Sequence, residues 1–126
     1  MLQARYGVQD ESLWRLVVGL GAGMGRRGFA CGALTGGVLA IGMATGLQRG
    51  SAREDVRGLR EESYSRVQQF SRLFEERFGS VECRAMTGCD FLTPEGQARF
   101  KAMGLMDGVC RPAVALAVET VAALCD

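Results

Sequence analysis

Five cysteines, at Cys31, Cys83, Cys89, Cys110 and Cys125, carry the clearest capacity for chemistry in this chain. A thiolate is the nucleophile of thiol–disulfide exchange and a ligand for soft metals, including the irons of iron–sulfur clusters. Three of the five fall where the pattern predicts helices to begin. Cys31 directly follows a glycine-rich elbow, Cys83 stands three residues after Ser80, and Cys110 three residues after Asp107. Ser and Asp are capping residue types, and the first turn of a helix offers unsatisfied N–H groups and a positive dipole end. Each cysteine also has arginine nearby: Arg26 and Arg27, Arg84, and Arg111. Such surroundings bring a thiol pKa from ~8.5 down into a range of ~3.5–7.5. Cys89 lies six positions beyond Cys83 across Gly88, within reach of a shared site. Cys125 is penultimate, is expected to fray, and receives no role. Against this stands a plainer reading, in which free cysteines only fill core volume.

What is missing narrows the chemistry further. The chain has no His, which removes the usual general base, His-assisted nucleophiles and imidazole metal ligands. The cysteines are separated by 51, 5, 20 and 14 residues, so no C-x-x-C motif is present. Their number is odd and too small for a disulfide scaffold. The run Gly23-Met24-Gly25-Arg26-Arg27-Gly28 matches G-x-G-x-x-G, yet a helical pattern precedes it and no parallel-sheet pattern follows. It therefore fails as a dinucleotide fingerprint. The carboxylates spread over solvated helix faces and form no isolated acid/base pair.

Helical spacing dominates the elements that must position the thiols. Asp10 can cap a first helix carrying Leu13, Trp14, Val17, Leu20 and Met24, interrupted by the elbow at residues 21–28. A Gly/Ala-rich helix over residues 30–47 is apolar on all sides and should be central. Residues 48–51 read as a turn. The longest helix, residues 52–78, has a stripe of Val56, Leu59, Val67, Phe70, Phe74 and Phe78 opposite a charged face. Ser80 opens a short helix to Thr87. Thr93 and Pro94 start another that Gly104 stops. Asp107 is expected to open the last, whose apolar face holds Val109, Ala113, Val114, Leu116, Ala117, Val121 and Leu124. The pattern predicts an all-α fold, a single-domain bundle of five to six helices over residues 1–126.

A length of 126 residues suits one domain with its own core. The net charge of +1 gives no field that would draw in nucleic acid. Residues 28–47 carry no charge and are long enough to span a bilayer, with Arg26-Arg27 just upstream like a twin-arginine signal. Six of the twenty are Gly, four are Ala and only seven are large and apolar. That composition favours a buried helix over a membrane span. The N-terminus lacks a basic-then-apolar leader pattern, so the expected location is the cytoplasm.

The run from Gly23 to Gly37 contains Cys31-Gly32-Ala33-Leu34-Thr35-Gly36, and it resembles the signature of the C_GCAxxG_C_C family of redox proteins. The segment Phe78-Gly79-Ser80-Val81-Glu82-Cys83-Arg84 resembles the one carrying that family's third cysteine, and Cys110 resembles the fourth. The family's first cysteine, on a helix before the elbow, has no counterpart upstream of Cys31. Either an N-terminal helix is missing, or Cys89 supplies the fourth thiol. The resemblance implies a small helical bacterial or archaeal protein with redox-active cysteines, an iron–sulfur centre in some relatives, and no defined substrate.

Together these readings favour a cysteine-based redox protein with an unidentified redox partner. In one form Cys31, Cys83, Cys89 and Cys110 ligate an iron–sulfur cluster. Gly25, Gly28 and Gly32 would then bring backbone N–H groups close to sulfur. In the other, the same thiols cycle between dithiol and disulfide, Cys31 attacking and a neighbour resolving. The alternatives are a structural bundle, with homo-oligomerisation left open, or a small membrane protein whose cysteines only pack.

Overall fold

The computed structural model describes residues 7–50 and 54–126. Among them are six right-handed α-helices: α1 (Ser12–Val17), α2 (Gly32–Arg49), α3 (Val56–Phe78), α4 (Cys83–Thr87), α5 (Pro94–Ala102) and α6 (Arg111–Leu124). No strand forms among the described residues; a single isolated bridge joins Ala30 and Glu82. The fold is an all-α bundle.

Three helices, α2, α3 and α6, enclose the core. Phe70 and Phe74 of α3, Ile41 and Ala44 of α2, and Ala113, Ala117 and Val121 of α6 are all buried in one cluster. The small residues of α2 have a specific use here. A Cβ at Gly37 would stand 2.5 Å from the Phe70 ring, so glycine lets that ring approach the helix backbone closely. Phe74 then meets Phe70 edge-on at 6.0 Å and Phe78 at 4.9 Å. One buried polar contact fixes the register of α2 on α3. Thr45 donates its hydroxyl to the Ile41 carbonyl at 2.7 Å and accepts from Arg66 Nη1 at 2.9 Å. Arg66 also reaches Gln48 and Glu62, at 2.8 and 2.7 Å.

Several expected features differ. α2 starts at Gly32 rather than residue 30, because Ala30 is held in the bridge to Glu82. The predicted start of the long helix at residue 52 lies outside the described residues. In α3 the cap is Asp55, which accepts from the Gly58 amide at 3.0 Å, and Val56 is exposed rather than part of the buried stripe. The first helix is shorter than its apolar spacing predicts. α1 passes into a 3-10 turn at Val18–Leu20, leaving Met24 in a left-handed turn and Trp14 exposed. An apolar groove of about 630 Å³ lies between α1, α2 and α6. Cys125 does not fray. It is fully buried in the core, and its carbonyl accepts from the Gln48 side chain.

No helix among the described residues is long and apolar enough to cross a membrane.

Candidate functional site

The site begins with the elbow, which is a left-handed turn. Ala22, Gly23, Met24, Gly25 and Arg26 have φ of 52°, 69°, 64°, 61° and 71° in succession. Three of these are not glycine, and each such residue costs roughly 1–2 kcal/mol in that region. Short-range bonds hold the turn: Gly25 N–H donates to the Gly21 carbonyl at 3.0 Å, and Phe29 N–H to the Gly23 carbonyl at 3.0 Å.

Beyond the turn, residues 28–31 run antiparallel to residues 81–84. Cys31 N–H donates to the Val81 carbonyl at 2.8 Å, Cys83 N–H to Phe29 at 2.7 Å, and Arg84 N–H to Gly28 at 3.1 Å. This pairing sets Cys31 at the head of α2 beside Cys83 at the head of α4. Two glycines permit the close approach. A Cβ at Gly28 would lie 2.8 Å from Arg84 Cβ, and one at Gly23 would lie 2.8 Å from Cys83 Cβ and 2.6 Å from Phe29 N. Gly23, hidden in the dinucleotide-like run, is the contact that reading for cysteines overlooks. Gly32 faces the Leu20 carbonyl, 3.1 Å from where its Cβ would be, whereas a Cβ at Gly25 would meet open space.

Cys110 comes within electrostatic range of Cys31 and Cys83 from the start of α6. Residues Met106–Cys110 wind as a π turn that runs without a break into α6, so Cys110 is not at a free helix start. Asp107 caps nothing and instead pairs with Arg111 at 3.0 Å. Cys83 lies within electrostatic range of Cys31, Cys110 and Cys89, and Cys110 within range of Cys31. Cys83 and Cys89 are buried, while Cys31 and Cys110 are half-buried. These four thiols are unbonded to one another.

The expected thiolate activation is corrected at Cys83 and Cys110. Burial, reinforced by the charges of Cys31, Cys110 and Cys89, pushes the Cys83 thiol up to about 11. Burial and then Cys31 raise Cys110. The reason is local. The amides of Cys83 and Arg84 are taken by the Phe29 and Gly28 carbonyls, so they cannot stabilise an anion. The nearby cations are engaged as well: Arg84 pairs with Asp90 at 3.0 Å, and Arg27 lies over the Phe29 ring at 5.2 Å.

Arranged this way, the thiols do not fit a single metal ion. Among the described residues no three Cys, Asp or Glu side chains converge closely enough to hold one. The backbone pairing brings the segments that carry Cys31 and Cys83 side by side.

No curated protein and no solved structure matches the chain. A family model does, over residues 1–124; it is described as "Putative redox-active protein (C_GCAxxG_C_C)". That match runs over nearly the whole chain: the chain belongs to the C_GCAxxG_C_C family.

Proposed function

We propose that the chain is a cysteine-based redox protein that cycles between dithiol and disulfide, with Cys31 attacking and Cys83 resolving. The observation that supports this most is the pairing of residues 28–31 with 81–84, which draws together two thiols remote in sequence. Cys31 is half-buried, so the more accessible of the two, whereas Cys83 is buried. In the reaction, the Cys31 thiolate attacks one sulfur of the external disulfide and expels the other as a thiolate. Cys83 then attacks the Cys31 sulfur and expels the second thiolate. The two thiol protons end on the leaving groups, so one disulfide becomes two thiols while the protein gains a disulfide. Cys110 is the third sulfur of the cluster and a second candidate resolver. The external partner is a disulfide-bearing small molecule or protein, and unbonded thiols suit the reducing cytoplasm.

The rival form is an iron–sulfur cluster on Cys31, Cys83, Cys89 and Cys110. Thiolate chemistry supports it, since four cysteine thiolates are the usual ligands of such clusters. Anaerobic purification with an absorption spectrum, iron and sulfide analysis, and thiol counting separates the two. Colourless, iron-free protein that loses thiols in pairs on adding oxidised glutathione is the expected result. Bound iron and sulfide would replace this reading with the cluster. Thiols of ordinary, independent reactivity would leave only a structural bundle.

A further inference from the structure

Resting on that dithiol reading, we propose that Thr87 is a positioning residue that holds Cys89 against Cys83, so the disulfide finally formed is Cys83–Cys89. Thr87 is buried at the end of α4, and one hydroxyl serves both cysteines. It donates to the Cys83 carbonyl at 2.7 Å and accepts from the Cys89 amide at 3.3 Å. A threonine hydroxyl bonding the carbonyl four residues back is common in helices. Here the same oxygen also receives an amide from beyond the helix end, which folds the chain back toward its start. Gly88 makes that reversal in the left-handed region, with φ of 66°. The Cys89 thiol donates back to the Thr87 carbonyl at 3.4 Å, and the Arg84–Asp90 ion pair at 3.0 Å closes the outside of the same turn.

The added step is a second exchange. Once the Cys31–Cys83 disulfide exists, the Cys89 thiolate attacks the Cys83 sulfur and Cys31 leaves as a thiolate, taking the Cys89 proton. Oxidation is stored between two buried sulfurs, and the half-buried Cys31 is free again. Electrons balance because only one disulfide is present before and after. A thiol as reluctant to ionise as Cys83 is also a poor leaving group, which favours expulsion of Cys31.

The test oxidises the full-length protein with glutathione disulfide, blocks remaining thiols in acid, and maps disulfides by mass spectrometry. Wild type should accumulate Cys83–Cys89. Thr87→Val, which keeps the shape and loses the hydroxyl, should lower the ratio of Cys83–Cys89 to Cys31–Cys83 by about tenfold. Thr87→Ser should restore it. Circular dichroism and denaturant melts establish that each variant folds, and the wild-type map stands even if Thr87→Val does not. If wild type stops at Cys31–Cys83, or Thr87→Val leaves the ratio unchanged, the assignment to Thr87 and Cys89 is overturned while the dithiol reading survives. Absence of any intramolecular disulfide would defeat the underlying reading as well.

Discussion

Gly23 lies directly against Cys83: a Cβ added at Gly23 would stand 2.8 Å from the Cys83 Cβ, and Gly23 is itself in the left-handed region at φ 69°. The elbow and the cysteine are thus packed as one unit. Gly23→Ala should cost about 2–4 kcal/mol, combining left-handed strain with overpacking. Gly25→Ala has the strain without the clash and should cost only about 1–2 kcal/mol. Denaturant melts of the two variants, with alkylation rates at Cys83, check the difference. Equal losses would mean that Gly23 does not seat Cys83.

Alkaline pH should weaken the fold through the thiols. Below the ordinary thiol value of 9.0 both folded and unfolded chains hold the Cys83 proton, and stability is unaffected. As pH rises from 9.0 to about 11, the unfolded chain releases that proton while the folded chain keeps it, so stability falls across this window. Cys110, raised in the same sense, adds to the slope. Chemical denaturation between pH 8 and 11 should show the decline. Cys83→Ala should flatten it.

The core and cap predictions separate residues by what they touch. Phe70→Ala should cost about 3–5 kcal/mol, because its ring is fully buried against Gly37. Thr93→Ala should cost about 1 kcal/mol through loss of its bond from the Gly96 amide. Asp107→Ala should change stability by less than about 0.5 kcal/mol, since its one ion pair is exposed. Thermal or denaturant melts rank the three.

Much of this arrangement could be read from residue spacing, and the failures have physical causes. The Phe70–Phe74–Phe78 stripe and the Thr93–Pro94 start are local signals, set within one helical turn, and both hold in the structure. The juxtaposition of Cys31 with Cys83 depends on a backbone pairing between remote segments, which hydrophobic periodicity does not encode. Left-handed Ala22, Met24 and Arg26 are invisible for a similar reason, because tertiary packing imposes that conformation against residue preference. Cys110 misled through a sound-looking signal. An acidic residue three positions upstream resembles a cap, but the helix arrives already wound through a π turn. A penultimate position suggests fraying for Cys125, yet its side chain is buried in the core cluster.

The most direct test of a shared pocket for Cys31 and Cys83 is the time course of oxidation in Cys89→Ser protein, where the later exchange cannot occur. Samples quenched in acid after adding glutathione disulfide are digested and mapped. The account predicts a glutathione adduct on Cys31 first, then a Cys31–Cys83 disulfide as the adduct decays. Initial attack at Cys83, or a lasting Cys31 adduct with no disulfide to Cys83, would contradict it.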